Sequence, residues 1–327
     1  MSNALNIGVI GLGVMGQRML ERIESHPRLR AACVWDVDAG ALQRTLAARP
    51  ALRAADGADQ LIGTPGLHGL YIATPPAAHM ALSHAAFDAD LAVLCEKPLT
   101  VDFEAARRCI ERIEREGRRA AVNFSLSSSL GLQALQQAFG AGGQGLGALQ
   151  QLQIELAFAA WPRPWQAAAG PWLSQRAEGG FTREVLSHFI FVLQRVLGPA
   201  SVLSSSVSQP ADGIGAETAL RARLQVAGVP VLIDARIDAG LPQAERNRML
   251  WQASDGAIEL SEWFALRRWR AGEGWSTVGD AASLRGAGQA AQLEQWVAMI
   301  EGRAHGLPGY AEALAVQQTI EALLAGR

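Results

Sequence analysis

The segment Gly11-Leu12-Gly13-Val14-Met15-Gly16 constrains this chain more than any other. It follows a short branched apolar run over 6–10 and opens a helical pattern carrying Met15, Met19, Leu20 and Ile23, which Pro27 closes. A GxGxxG placed between a strand and a helix has a physical logic. The first glycine permits a tight turn, and the second lets the backbone approach a pyrophosphate. The third lets helix and strand pack closely, while the helix N-terminus faces the phosphates. Asp36 follows Gly16 by 20 residues and comes directly after the next predicted strand, Leu29–Trp35, where a carboxylate would bind ribose hydroxyls. These residues point to a bound dinucleotide. Asp36 would repel a 2′-phosphate and no arginine directly follows it, so NAD is favoured, with NADP left open by Arg44 on the next helix.

The pattern around this motif is repetitive. Apolar strands are expected at 29–35, 69–73, 91–95 and 120–124, separated by helices at 39–48, 77–87 and from a cap at Thr100 to about Glu116. Such alternation implies a parallel sheet covered on both faces, with ligands at the carboxyl ends of its strands. From about Gly147 the period changes to two. Leu152, Ile154, Leu156 and Phe158 alternate with Gln151, Gln153 and Glu155, and similar alternation recurs at 218–226, 231–237, 249–253 and 257–260. The expected class is therefore α/β. It combines an N-terminal Rossmann domain (1–123) and a C-terminal α+β domain (124–327) with an open, largely antiparallel sheet. Helices over 289–301 and 310–324 end the chain, and the region 289–325 is expected to pack back on the first domain. The glycine-rich stretches 141–147 and 272–288 read as loops.

Composition narrows the functional classes. The 327 residues carry a net charge of −2, without the basic footprint of a nucleic-acid binder. Three cysteines, with no CxxC or Cys/His ligand spacing, argue against a disulfide framework or a metal site and suit a reducing cytoplasm. The apolar stretch 5–15 lacks a basic leader and a cleavage site, and no apolar run is long enough to span a membrane. Of the 29 basic residues, Lys97 alone is lysine. It lies in Cys95-Glu96-Lys97-Pro98, at the end of a predicted strand. A chain that uses arginine everywhere else keeps a compact, tunable ammonium where a planar fork cannot serve.

Two further constellations carry chemistry. Ala73-Thr74-Pro75-Pro76 ends one predicted strand with His79 at the following helix start, within reach of a cofactor or simply on the surface. The run Gly179-Gly180-Phe181-Thr182-Arg183-Glu184-Val185-Leu186-Ser187-His188 reads as a helix N-capped by Thr182, with Glu184 and His188 four apart on one face. A carboxylate beside an imidazole orients it for general-base work, although a merely paired core histidine gives the same pattern. Trp161, Trp165 and Trp172 wall a pocket or pack a long loop. Arg267-Arg268-Trp269-Arg270 reads as a strand edge.

Taken together, GLGVMG, Asp36, IATPPAAH, CEKP and GG…SH resemble, in order and spacing, the glucose–fructose oxidoreductase/inositol dehydrogenase (Gfo/Idh/MocA) family of NAD(P)-dependent oxidoreductases. The resemblance implies hydride transfer between nicotinamide and a hydroxyl or carbonyl carbon of a sugar, polyol or cyclic diol. Lys97, Glu184 and His188 would be catalytic. Gly11, Gly13, Val14, Met15, Gly16, Asp36, Ala73, Thr74, Pro75, His79, Glu96 and Lys97 would hold the cofactor. It also implies a cis Lys97–Pro98 bond and a homodimer or homotetramer formed through the C-terminal sheet. The family most often has aspartate where this chain has Glu184. Alternatives are NAD-retaining glycoside cleavage, imine reduction, or a non-enzymatic NAD-binding regulator.

Overall fold

The computed structural model describes residues 4–141 and 145–326, without the side chains of 167–169. Of the loop expected over 141–147, residues 142–144 lie outside the described residues. The chain divides into two units, Met1–Phe124 with Gln289–Leu314, and Ser125–Gly288 with Ala315–Arg327.

The first unit alternates β1 (Leu5–Ile10), α1 (Val14–Glu24), β2 (Leu29–Trp35), α2 (Ala39–Ala48), β3 (Arg53–Ala54), α3 (Ala58–Ile62), β4 (Gly69–Ile72), α4 (His79–Asp88), β5 (Ala92–Glu96), α5 (Phe103–Glu116) and β6 (Ala120–Asn123). All six strands pair in parallel in the order β3-β2-β1-β4-β5-β6. The order reverses between β1 and β4, which leaves a crevice at their carboxyl ends. Strands covered on both faces have no polar side, and β4 and β5 are buried at every residue. Ile7, Val9, Tyr71 and Leu94 share one core with Leu293, Trp296, Val297 and Ile300 from the C-terminal part of the chain. The cap of α5 is Asp102, not Thr100: its carboxylate accepts from Glu104 N and Ala105 N, while Thr100 Oγ1 braces the backbone of Asp102. Asp102 stands one residue before the helix, where a side-chain oxygen reaches the orphan N–H groups.

The second unit contains α6 (Leu130–Phe139), β7 (Leu149–Phe158), α7 (Ser187–Leu197), β8 (Ala200–Ser208), β9 (Ala219–Val226), β10 (Val229–Ile237), β11 (Glu245–Ala253), β12 (Gly256–Ser261), β13 (Ala265–Arg270) and β14 (Gly274–Gly279). Two helices follow, α8 (Ala281–Ile300) and α9 (Tyr310–Leu324), whose residues divide between the units. The sheet order is β14-β13-β12-β11-β7-β10-β9-β8, antiparallel except where β10 meets β7. Alternation decides its faces. On β9 Leu220, Ala222, Leu224 and Val226 are buried, while Arg221, Arg223 and Gln225 are exposed. α6 and α7 fill the buried side. Phe139 stacks on Trp251 at 5.5 Å, and α7 is buried continuously from Ser187 to Leu193, as a helix enclosed by a core must be.

Three expectations change here. The stretch 272–288 is not a loop but contains β14 and the first turns of α8, started by Asp280, whose carboxylate accepts from Ser283 N. The Arg267–Arg270 run lies in β13, which β14 covers, so it is not the sheet edge. β8, rich in serine, extends the sheet at the other end beyond the expected strands.

Candidate active site

Gly11 has φ +93° at the end of β1, and a Cβ there would lie 2.4 Å from Ala73 O at the end of β4. A Cβ on Gly16 would lie 2.0 Å from Gly11 O, so the third glycine is what lets α1 close on the strand. Gly13 is different. It is exposed, has an ordinary φ of −67°, and a Cβ there would meet no atom of the described residues within 4 Å. The protein's own packing does not demand glycine at 13, and the space beside it is open. Gly13 also N-caps α1 without any side-chain hydrogen bond, so the helix N-terminus is uncapped above Val14 and Met15. Asp36 closes the other side, accepting from Leu12 N at 2.5 Å and from Asp38 N at 2.8 Å. Arg44 pairs instead with Asp38 at 3.6 Å. In the next loop Thr74 Oγ1 is buried without a hydrogen-bond partner among the described residues. Room at Gly13, an uncapped helix start, a carboxylate and an orphaned hydroxyl together fit a dinucleotide.

Lys97 follows β5 and is half-buried, and the Lys97–Pro98 bond is cis. Glu96 faces inward, 5% exposed. The Tyr71 hydroxyl donates to its Oε1, Asn123 Nδ2 donates to the same oxygen at 2.7 Å, and Lys97 N donates to Oε2 at 3.3 Å. Burial pushes this carboxyl above its ordinary value, against the Tyr71 hydrogen bond and the Lys97 charge, and burial also drives the Tyr71 phenol well up. Glu96 therefore anchors the start of the lysine loop from within the core. His79 is wholly buried and plays a similar part. Its Nε2 faces Thr74 O at 2.9 Å and its Nδ1 faces Leu99 O at 3.2 Å, tying the loops after β4 and β5 together, and burial lowers its pKa. Both were expected to touch the cofactor; in the structure both are buried and brace the loops after β4 and β5.

The Glu96 shift has a consequence for stability. A carboxyl that titrates higher in the folded than in the unfolded chain favours folding fully below its ordinary value, and that contribution is lost as pH rises toward the folded value. The melting temperature of the protein minus that of Glu96→Gln should therefore fall as the pH rises past the carboxyl's ordinary value of 4.5. A difference that stays flat or rises would contradict the arrangement.

In the second unit, Glu184 and His188 stand on consecutive turns of one segment, but the first turn is π-helical, Thr182–Leu186, before α7 begins. Such widened turns are frequent at functional sites. Thr182 does not cap it. The buried carboxylate of Glu217 accepts from Thr182 N at 2.7 Å, and Gly180, φ +98°, makes room, since a Cβ there would lie 2.2 Å from Glu217 Oε2. Arg183 locks the turn through Glu321 at 2.6 and 2.8 Å and the carbonyls of Arg176 and Gly179. Glu184 is half-buried, and His188 is 4% exposed with its ring edge-on to Trp263, centroids 5.3 Å apart. Of the expected tryptophans, Trp161 packs against Phe158 and Phe181, whereas Trp165 is 41% exposed beneath the Arg163 guanidinium.

Residues 5–124 match the family model described as "Oxidoreductase family, NAD-binding Rossmann fold", that of Gfo/Idh/MocA. Over these residues the chain is similar to the NAD-binding domain of that family. Among curated relatives, the inositol 2-dehydrogenase of Arthrobacter sp. (strain FB24) is 34% identical over 129 residues. That stretch is 38% of this chain, which spans 37% of the relative's length. Solved structures share the fold over nearly the whole chain. An oxidoreductase from Agrobacterium radiobacter in complex with NAD+, L-tartaric acid and magnesium superposes with a TM-score of 0.81 at 17% identity, covering 99% of this chain and 97% of that one. The WlbA dehydrogenase from Bordetella pertussis in complex with NADH and UDP-GlcNAcA gives 0.81 at 17%, covering 99% and 96%. The shared fold thus extends through the second unit.

Sequence reasoning missed the partners that hold these residues. Tyr71 and Asn123 carried one available signal: tyrosine occurs twice in the chain, and both copies, Tyr71 and Tyr310, are buried with hydrogen-bonded hydroxyls. Arg163 stands between two tryptophans in Trp161-Pro162-Arg163-Pro164-Trp165, and it is 5% exposed. Glu217 and Trp263 had no local signal.

Proposed function

We propose that the protein is an NAD-dependent dehydrogenase of sugars, polyols or cyclic diols, with NADP the less favoured cofactor. The observation that carries this reading is the cradle at Gly13, open where the protein's own packing needs no glycine, together with Lys97, the only lysine, at the end of β5 in the same domain. Gly11, Gly13, Val14, Met15 and Gly16 would take the pyrophosphate, Asp36 the adenosine ribose, and Ala73, Thr74 and Pro75 the path toward the nicotinamide. Bound nicotinamide supplies a hydride acceptor at C4. Lys97 donates a hydrogen bond to the reacting oxygen and stabilises negative charge as it develops. His188 takes the hydroxyl proton, and Glu184 orients the imidazole. The curated relatives are inositol 2-dehydrogenases, so myo-inositol is the first substrate to try.

The test is a panel of polyols, sugars and cyclic diols assayed with NAD and with NADP. Reduced nucleotide should form with at least one cyclic polyol, faster with NAD. Turnover of a glycoside with no net reduced nucleotide would favour the retained-cofactor glycosidase instead.

The same reading extends to the assembly and its setting. The exposed sheet face carries Leu232 beside Arg221, Arg223 and Asp234 around a hollow of about 560 Å³, and it is the surface offered to a second copy of the chain. Light scattering should therefore read a dimer or tetramer, and a monomer would oppose this. Among the described residues no helix is long and apolar enough to cross a membrane. Cys33, Cys95 and Cys109 are buried free thiols, which suits a reducing cytoplasm.

A further inference from the structure

The turn joining β12 to β13 holds two consecutive left-handed residues, Glu262 at φ +48° and Trp263 at φ +69°, and neither is glycine. A side chain at φ > 0 is strained, and two such residues in succession without a glycine are uncommon. The fold braces this one. Asn247, 3% exposed, accepts from Trp263 N through Oδ1 at 2.7 Å and from Glu262 N through its carbonyl at 3.2 Å. A conformation this unfavourable persists only where the surroundings over-determine it, and such outliers cluster at functional sites.

What the strain delivers is the indole. The Trp263 ring meets the His188 imidazole at 5.3 Å and 78°, and the Phe189 ring at 5.7 Å. Its Nε1 donates to Glu245 Oε1 at 3.0 Å, while the other oxygen of Glu245 takes Arg163 Nη1 at 2.7 Å. Arg163 is 5% exposed and lies 5.9 Å from the Trp263 ring centroid. One carboxylate and one buried guanidinium thus fix the indole on one side, and the imidazole receives it on the other.

We infer that Trp263 is a positioning residue for His188: the strained Glu262–Trp263 turn sets the indole against the imidazole so that the ring keeps a single orientation for proton transfer. The inference rests on the reading of His188 as the proton-transfer group. It assigns specific jobs to two residues of the turn. Trp263 supplies the ring, and Glu262, exposed, supplies only strain.

The experiment combines two readouts on the full chain. In protein labelled with 13C at histidine Cε1, the His188 resonance is assigned by its loss in His188→Asn. It should be a single sharp signal in the parent and in Trp263→Phe, and broadened or doubled in Trp263→Leu and Trp263→Ala. In parallel, kcat is measured with the polyol of the panel that reacts fastest. Trp263→Leu should lose about 10–100-fold in kcat with KM little changed, and Trp263→Phe should recover to within about threefold. Trp263→Leu in the His188→Asn background should cost almost nothing further, because both changes remove the same function.

A His188 signal as sharp in Trp263→Leu as in the parent would overturn the inference. So would an equal further loss of kcat in the His188→Asn background. Full activity in His188→Asn would instead sink the reading of His188, while the resonance would still show whether the indole sets the ring. Should Trp263→Ala fail to fold, Trp263→Leu carries the comparison alone.

Discussion

Lys97→Met is expected to lower turnover by about 10²–10³-fold, the loss typical when one donor to a developing oxyanion is removed. The dissociation constant for NAD should stay within a few-fold. The reason lies in the division of labour at the end of β5. Glu96 is turned into the core and held by Tyr71 and Asn123, so the loop keeps its course when the neighbouring side chain changes. What is lost is the ammonium. Lys97→Arg is the sharper variant, since it preserves charge in a chain whose other 28 basic residues are already arginine. A guanidinium presents a broad planar fork where a compact donor is required, and it too should lose more than tenfold. Steady-state rates with calorimetric NAD binding check both variants. A loss below tenfold in Lys97→Met with NAD binding intact would remove lysine from the chemistry.

The second large effect separates what the fold needs from what the cofactor needs. Gly13→Ala adds a methyl group where no atom of the described residues lies within 4 Å and where φ is ordinary, so stability should change by no more than about 1 kcal/mol. Affinity for NAD should nevertheless fall at least tenfold, because the methyl group occupies the approach of the pyrophosphate. Gly11→Ala reverses the balance. Its Cβ would enter at 2.4 Å from Ala73 O in a left-handed backbone, and the clash is with main chain that cannot step aside. A destabilisation of roughly 2–4 kcal/mol is expected, read by denaturant unfolding. Equal stability losses in the two variants, or unchanged NAD affinity in Gly13→Ala, would contradict the cradle.

The parts of this architecture that could be read from the sequence are those whose physics is local. The glycine loop, Asp36 and Lys97 occupy strand ends that the apolar runs already mark, and the alternation in β9 states which side is wet. Contacts between distant residues were hidden. Thr182 has the right chemistry and place for a cap, but the cap comes from Glu217, 35 residues away. The first turns of α8 hold Gly286 and Gly288 and have little helix propensity of their own. They persist because Asp280 caps them and Leu284 is buried. β8 escaped notice because Ser204, Ser205, Ser206 and Ser208 blur its period. The turn at Glu262 and Trp263 contradicts its local propensities outright, and a conflict of that kind is legible only once the backbone is seen.

Transfer of the hydride itself is the claim on which the rest depends. With the reactive polyol deuterated at its carbinol carbons and incubated with NAD, the nicotinamide recovered after turnover should carry deuterium at C4, in proportion to product formed. Product that accumulates while the nicotinamide stays unlabelled would contradict the account.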